Sequence, residues 1–289
     1  MSRHEGAAVP EVEVLVTTRN RPVELATTLA GLAGQPLAGP AFAVLVSDQS
    51  DPQSAPSYAT APARSMAQAL RLAGRPTRFT RHLPRRGLAE HRGWLLSRAT
   101  ARYVLFLDDD VWLEPGVVAR LHTAIQALRC GLVGAAVTGL SYAEDVRPQE
   151  LEPFEPLTGP PEPETITPAS PARRRYTLHN AANPLHLARR LGLGRGSRRW
   201  VPYRIAWVGG CVLYDRAALL DCGGFDFGVD LPPDHCGEDV AAQWRVMARY
   251  GGAGVLPSGA IHLESATTVT DRSNDLPVLL ARREGATPG

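Results

Sequence analysis

The sequence has no lysine, so arginine supplies all 31 of its basic side chains. Together with abundant alanine, glycine and proline, this pattern is typical of GC-rich coding rather than of selection for arginine chemistry. We therefore give little weight to any single surface arginine. No recognised nucleic-acid-binding module accompanies the basic residues, and we expect no nucleic-acid partner.

Long apolar runs and paired cysteines are absent as well. No stretch reaches the ~18 consecutive apolar residues that a membrane span needs, and the first residues lack the apolar core of a secretory signal. We therefore expect a cytoplasmic protein. The four cysteines are Cys130, Cys211, Cys222 and Cys236, and none of them forms a C-x-x-C pair. This spacing argues against a zinc knuckle and favours scattered reduced thiols.

The first half of the sequence contains a regular alternation of strand-like and helix-like segments. The 289 residues, 44% of them apolar, are enough for one large domain or two small ones. Apolar patterning predicts strands at residues 11–18, 41–48, 77–80, 102–110 and 131–140, and helices at residues 22–35, 64–72, 88–99 and 114–129. This order predicts an α/β fold with a Rossmann-like, mostly parallel central sheet and helices on both faces.

The second half is less regular. Residues 144–171 are rich in proline and glutamate and predict an extended or mobile loop, whereas residues 173–204 carry arginines and no acid. A solvated basic loop is the simplest interpretation of the arginines. They could instead contact anionic lipid, bind an acidic acceptor or pair with the preceding glutamates. Beyond them we expect a strand, turn and helix at 205–226, a helix at 237–251, and a final strand and turn at 253–265.

Three consecutive aspartates, Asp108–Asp110, follow the apolar strand predicted at 102–110. Side chains alternate along a strand, so Asp108 and Asp110 should share one face, and charges this close need a positive partner. Two carboxylates on one face suit Mg²⁺ or Mn²⁺, which complete their shells with water and substrate phosphates. Asp48 also ends a predicted strand, and such sheets bind ligands outside the carboxyl ends of their strands. The alternative is a solvated acidic turn that caps the next helix.

Seven blocks of the sequence carry a resemblance to a known family. They are VTTRNRP (16–22), VSDQSDP (46–52), RRGLAEHRG (85–93), FLDDDVWLEPG (106–116), WVGGCVLYDRAAL (207–219), GGFDFG (223–228) and GEDVAAQWRVMARYG (237–251). In this order they resemble motifs of the inverting, nucleotide-sugar-dependent glycosyltransferases of the GT-A fold, family 2. The asparagines that this family often has near Arg85 and Gly93 are absent.

The resemblance implies a domain organisation. One GT-A catalytic domain would span residues 1–265, with a nucleotide-sugar-binding half at 11–142, a variable insertion at 143–204 and an acceptor-binding half at 205–265. A peripheral tail would follow at 266–289.

The resemblance also implies roles for particular residues. The donor-binding residues would be Thr17, Arg19, Asp48, Arg92, Asp108 and Asp109. The ligands of a Mn²⁺ or Mg²⁺ cofactor would be Asp110, Asp108 and His262. The acceptor contacts would be Trp207, Gly209 and Gly210. The general base would be Asp239 or, as the second choice, Glu238.

Simpler interpretations exist for several of these residues. Glu238 and Asp239 open a helix, where acids interact favourably with the macrodipole. Asp48 could end its strand in a turn, and Gly209 and Gly210 could form a tight turn. His262 could be an ordinary, partly buried histidine.

The implied reaction is the transfer of a sugar, of hexosyl type, from a nucleotide-diphosphate donor to an acceptor hydroxyl or amine with inversion. A cation would stabilise the departing diphosphate, and a carboxylate on another element would take the proton of the acceptor. The acceptor could be a saccharide, a lipid-linked molecule or a small molecule, and residues 173–204 could contact the inner membrane face.

Two alternative functions remain at this point. A sugar-nucleotide pyrophosphorylase would carry a glycine-rich phosphate loop after the first strand, and residues 17–22 contain no glycine. A non-catalytic nucleotide-sugar-binding homologue would not need the intact Asp108–Asp110 run or Asp239.

Overall fold

The computed structural model describes residues 10–194, 196–227, 231–267, 269 and 275–279. Three predicted features lie partly outside the described residues: Arg195 of the arginine-rich stretch, Gly228 of the GGFDFG motif and most of the tail at 266–289. The strands are β1 (Val12–Thr18), β2 (Phe42–Asp48), β3 (Thr77–Arg81), β4 (Tyr103–Leu107), β5 (Val111–Leu113), β6 (Leu132–Gly134), β7 (Thr138–Gly139), β8 (Val201–Tyr203), β9 (Cys211–Asp215), β10 (Gly252–Leu256) and β11 (Ala260–His262). The helices are α1 (Pro22–Ala33), α2 (Ala61–Leu72), α3 (Leu88–Leu96), α4 (Val117–Leu128), α5 (Asn183–Arg190), α6 (Arg216–Asp221) and α7 (Glu238–Tyr250).

Eight strands form the central sheet in the order β3-β2-β1-β4-β9-β6-β10-β8. The first four are mutually parallel, and β10 is parallel to β6. β9 runs antiparallel to both of its neighbours, and β8 runs antiparallel to β10. The predicted α/β fold with a mostly parallel sheet is therefore confirmed.

Helices cover both faces of this sheet, and β1 shows how its sequence fits that position. Val14 packs on one face in a cluster that includes Leu29 of α1 and Leu121 of α4. Leu15 packs on the other face in a cluster that includes Leu95 of α3. A strand buried on both faces needs a near-continuous apolar run, which is the pattern that predicted β1.

A second, three-stranded sheet in the order β5-β11-β7 was not predicted. The run at 131–140, predicted as one strand, divides into β6 of the central sheet and β7 of the small sheet. The prediction was wrong here because a continuous apolar run indicates burial and not the sheet in which each part is buried.

The helix predicted at 114–129 also begins later than expected. α4 starts at Val117, and Gly116 precedes it with a left-handed φ of 91°. Pro115 therefore lies before the helix and not in its first turn. The chain before α4 is attached to the residue that precedes β11 of the small sheet, because the backbone N–H of Glu114 donates to the carbonyl of Gly259.

The segment 144–171 is irregular, as predicted, but backbone contacts attach it to the rest of the fold. The N–H of Glu164 donates to the carbonyl of Met247 in α7 at 3.0 Å. Glu164 also pairs with Arg175 at 2.7 Å, and Glu155 pairs with Arg204 at 3.2 Å. Two of the arginines thus contact the preceding glutamates, which was one of the three alternatives for them.

α5 lies within the arginine-rich stretch and buries its apolar side. Leu187 and Ala188 belong to the core, whereas Arg189 and Arg190 are exposed. The apolar face of this helix is consequently covered by the protein itself. Within the described ranges, no helix combines the length and the apolar character needed to cross a bilayer.

Candidate active site

A cavity of about 670 Å³ opens at the carboxyl ends of β1 and β4. Its walls also come from the beginnings of α3 and α7 and from the chain after β11. The predicted site residues that line it are Thr17, Arg19, Arg92, Asp108, Asp109, Asp110, Trp207, Glu238, Asp239 and His262. The fold therefore brings together residues from both halves of the chain, at the edge of the sheet where the sequence placed the Asp108–Asp110 triplet.

The three aspartates leave the central sheet instead of extending it. β4 ends at Leu107, and Asp109 and Asp110 lie in a turn that leads into β5. The expectation that Asp108 and Asp110 share one face of a strand was therefore wrong. The turn is fixed by its backbone, because Thr28 donates to the carbonyl of Asp109 at 2.7 Å and Leu263 N–H donates to that of Asp110 at 2.9 Å.

Each aspartate of the triplet faces a positive or donating side chain. Arg92 Nη2 donates to Asp108 Oδ1 at 2.8 Å. Arg21 Nη1 donates to Asp109 Oδ1 at 3.1 Å and to Asp110 Oδ2 at 2.6 Å. The Arg21 side chain is only 12% exposed, so its contacts are shielded from water. The charge repulsion within the triplet is thus offset by arginines of the protein itself.

The two buried members of the triplet respond differently to these partners. Burial raises the pKa of Asp109 to about 7, although a 2.6 Å hydrogen bond from Thr18 and the charge of Arg21 oppose the shift. Burial acts in the same direction on Asp110, but His262 and Arg21 outweigh it and lower the pKa of that carboxyl. His262 Nε2 lies 3.4 Å from Asp110 Oδ2, and this carboxylate raises the pKa of the imidazole. Asp110 is therefore the member best suited to remain ionised.

Arg92 connects the triplet to the acids that open α7. Its Nε lies 3.4 Å from Glu238 Oε1, while its Nη2 contacts Asp108. Burial disfavours the charge of Arg92, but Glu238 and Asp108 outweigh this and raise its pKa. Glu238 is 3% exposed, and burial raises its pKa to about 7 against the attraction of Arg92. Glu238 is thus buried against Arg92 inside the protein.

Asp239 has a different environment from its neighbour. Its Oδ2 accepts a hydrogen bond from the indole Nε1 of Trp207 at 2.7 Å, and the residue is half-buried at the cavity wall. A neutral N–H partner orients the carboxylate without neutralising it. Asp239 thus lines the cavity with an oriented carboxylate, and its role as the general base stays a prediction.

Asp48 and its surroundings illustrate a structural role. Asp48 is fully buried, and its two carboxylate oxygens accept the backbone N–H groups of Ser50 and Ser57. The neighbouring Gln49 and the nearby Arg19 line the cavity instead. The geometry favours the turn interpretation of Asp48, and its role as a donor ligand stays a prediction.

The two glycines predicted on the acceptor side shape the backbone. A Cβ on Gly209 would approach the Trp207 ring to 2.8 Å, and one on Gly210 would lie 2.5 Å from Val137. Gly210 also has a φ of +75°, and its carbonyl accepts the N–H of Asp108 at 2.9 Å. These glycines permit close packing beside the site, and a direct contact with the acceptor stays a prediction.

The sequence also matches the profile of a known protein family. The sequence profile described as "Glycosyl transferase family 2" matches residues 13–193. The chain belongs to this family. The resemblance drawn from the seven motifs is confirmed, whereas a comparison with curated proteins finds no match.

Several solved structures share the fold. The crystal structure of TarS from S. aureus is 16% identical with a TM-score of 0.53, and the match covers 87% of this chain and 36% of that chain. TarS 1–349 in complex with UDP-GlcNAc is 16% identical with a TM-score of 0.54, covering 89% and 61%. The mannosyltransferase PcManGT from Pyrobaculum calidifontis, in complex with GDP-Man and Mn²⁺, is 16% identical with a TM-score of 0.50, covering 90% and 59%. The present chain spans less than two thirds of each, and at this identity the likeness shows the fold alone.

Several residues of this family 2 site were missed by the sequence analysis. Arg21 lies within the VTTRNRP motif, which therefore contained a signal for it. Tyr176 comes from the insertion and stands 5.7 Å from Trp207 between ring centroids. Thr267 and Asp275 also line the cavity, so the described part of the tail is not peripheral. No motif pointed to these last three residues.

The donor set at the triplet fits a divalent cation with two protein ligands. Among the residues that the structure describes, no three His, Cys, Asp or Glu side chains are grouped to hold a metal. Asp110 Oδ2 and His262 Nε2, however, lie 3.4 Å apart on one side of the cavity. This spacing is compatible with adjacent ligands of one ion, and such sites take their remaining ligands from substrate phosphates and water. Asp108 is paired with Arg92, and its role as a third ligand stays a prediction.

Proposed function

We propose that the protein is an inverting glycosyltransferase that moves a sugar from a nucleotide-diphosphate donor to a hydroxyl or amine of an acceptor. The observation that carries the proposal is one cavity lined by the Asp108–Asp110 triplet on one side and by Asp239 of α7 on another. The two solved relatives named above bind UDP-GlcNAc or GDP-Man, both nucleotide-diphosphate sugars. Family membership and site chemistry thus support the same reaction.

The donor would bind on the β1 side of the cavity. Thr17, Arg19 and Gln49 line this side, and Arg19 is held by Asp51 at 3.0 Å. The buried guanidinium of Arg92 fixes Asp108 towards the same space. These groups would orient the nucleotide and the sugar before reaction, which lowers the entropic part of the barrier.

A divalent cation is part of the proposal, with Asp110 and His262 as its protein ligands. When bound, it would supply positive charge to the diphosphate as the bond to the sugar breaks. The mixed carboxylate and imidazole donor set suits Mn²⁺ better than Mg²⁺, which prefers oxygen ligands alone.

Asp239 would serve as the general base. Its carboxylate would take the proton of the acceptor hydroxyl as the oxygen attacks the anomeric carbon. The Trp207 indole would hold one carboxylate oxygen and leave the proton-accepting lone pairs directed into the cavity. Since α7 and the triplet belong to different elements, attack and departure would occur on opposite sides of the sugar, and the configuration would invert.

A thermal-shift panel tests this function. The full-length protein is heated with UDP-sugars and GDP-sugars, each with and without Mn²⁺, because a ligand that binds the folded state raises its melting temperature. We expect stabilisation by one nucleotide class, increased by Mn²⁺. Asp110→Asn should remove the Mn²⁺-dependent part only. If no nucleotide sugar shifts the melting temperature under any condition, the proposal is wrong.

A further inference from the structure

The guanidinium of Arg21 occupies the position beside Asp110 that the proposed function gives to a cation. Its Nη1 lies 2.6 Å from Asp110 Oδ2 and 3.1 Å from Asp109 Oδ1. Its Nη2 donates to the backbone carbonyl of Ala266, in the segment after β11 that closes one side of the cavity. One side chain therefore bridges two carboxylates and this segment.

Arg21 and a metal ion held by Asp110 Oδ2 would compete for the same carboxylate oxygen. A divalent ion held by Asp110 Oδ2 and His262 would lie about 2.1 Å from that oxygen. Arg21 Nη1 is already 2.6 Å from it, and His262 Nε2 is 3.4 Å away. The ion and the guanidinium would then be close to each other as like charges, between side chains that are largely shielded from water, which is strongly unfavourable.

The backbone of Arg21 is fixed, so the exchange needs only its side chain to move. Arg21 precedes the first turn of α1, its carbonyl accepts the N–H of Leu25 at 3.1 Å, and its N–H donates to Ser57 Oγ at 3.2 Å. Arginine has a long and flexible stem, and the cavity that it lines offers space for another rotamer.

We propose that Arg21 acts as an internal counter-cation, which occupies the cation site of the donor-free enzyme and is exchanged for the divalent ion. The inference rests on the proposed function, because that function assigns Asp110 and His262 to the ion. Exchange would also break the contact between Arg21 and Ala266, so that cation binding removes one of the contacts that attach the segment 263–267 to the rest of the cavity wall. The donor-free protein should accordingly bind Mn²⁺ weakly, by comparison with the same site without this arginine.

The test is a titration of donor-free, full-length protein with Mn²⁺, followed by the electron paramagnetic resonance signal of the free ion. Arg21→Gln removes the competing charge and should bind Mn²⁺ about tenfold more tightly or better, since charge-assisted hydrogen bonds no longer have to be broken. Arg21→Lys keeps the charge but cannot span two carboxylates and a carbonyl, so its affinity should be intermediate.

Two further variants separate direct exchange from a general effect of charge. Arg19→Gln removes one positive charge from the same cavity, but Arg19 pairs with Asp51 and not with the triplet, so its effect on Mn²⁺ affinity should be much smaller. Asp110→Asn should abolish Mn²⁺ binding at this site in both the wild-type and the Arg21→Gln background.

The outcomes that overturn the inference are specific. Unchanged or weaker Mn²⁺ binding by a folded Arg21→Gln protein overturns it, as does tighter binding that survives Asp110→Asn. If Arg21→Gln does not fold, Arg21→Lys decides in the same way. Equal binding by wild type and Arg21→Gln leaves the proposed metal site standing, whereas no binding by either protein removes both the exchange and the metal ligands of the proposed function.

Discussion

The acidic triplet after β4 and the acidic pair that opens α7 face the same cavity, but their partners differ. The triplet is held by arginine and histidine side chains, with Arg21 across Asp109 and Asp110. Within the pair, Glu238 contacts Arg92, whereas Asp239 contacts the neutral indole of Trp207. The carboxylates of Glu238 and Asp239 are adjacent in sequence, but their different partners give them different properties. The indole N–H orients Asp239 without neutralising its charge.

The strongest test of this comparison is Asp239→Asn. The amide cannot accept the proton of the acceptor, so the transfer rate should fall by about 10²–10⁴-fold, the usual contribution of a general base. Release of nucleoside diphosphate from the donor measures the rate, and a thermal shift should show that donor binding is retained.

Asp226→Asn is the matched control for this change. Asp226 pairs with Arg245 at 2.7 Å on the surface and should not affect the rate. Retained turnover in Asp239→Asn would show that another residue is the general base, and Glu238 would be the next candidate to substitute.

The second prediction concerns Arg92, which joins the two acidic clusters. Arg92→Met leaves Asp108 and the buried Glu238 without their cation, so the free energy of unfolding should fall by about 3–5 kcal/mol. Urea denaturation at neutral pH measures it. Arg245→Met removes an arginine from a surface pair and should cost at most about 1 kcal/mol. Equal losses in the two variants would show that Arg92 does not stabilise the clusters.

The location of both clusters was predictable from the sequence, but their partners were not. The triplet and the Glu238–Asp239 pair follow or open elements with clear apolar periodicity, and each lies in a recognisable motif. The contact between Arg21 and Asp110 spans 89 positions, and it depends on how β1 and β4 meet in the folded chain. Sequence periodicity carries no information about such a pairing.

The same limit explains the errors in the fold. The parallel strands were found because both of their faces are buried, which requires long apolar runs. The three-residue strand β5 is too short to show a period, and it exists only because β11 pairs with it. Tyr176 reaches the cavity from an irregular segment, and irregular segments have no repeating pattern from which a side-chain direction can be inferred.

A third prediction tests the partner of Asp239. Trp207→Phe keeps the ring but removes the N–H that donates to Asp239 Oδ2, so the carboxylate is less well oriented and kcat should fall about tenfold. Steady-state kinetics of the two proteins measure this difference. A kcat equal to that of wild type would mean that the Trp207 N–H does not orient the carboxylate.

The last prediction concerns Glu238→Gln, whose effect on stability should grow with pH. Burial raises the folded-state pKa of Glu238 from 4.5 to about 7, so the folded protein holds a proton that the unfolded chain releases. The stability that this proton provides is complete below pH 4.5 and is lost as the pH rises through about 7. Glutamine cannot titrate, and the variant should therefore gain stability relative to wild type progressively as the pH rises from 4.5 to 7.

Parallel urea denaturations of the two proteins at several pH values measure this difference. Comparing them removes the contributions of groups that titrate identically in both, such as the buried His91, whose pKa burial lowers to about 3. A difference that is constant with pH would show that Glu238 is ionised throughout this range. Arg92 would then hold Glu238 as strongly as it holds Asp108, and the contrast between the two acidic clusters would be confined to Asp239.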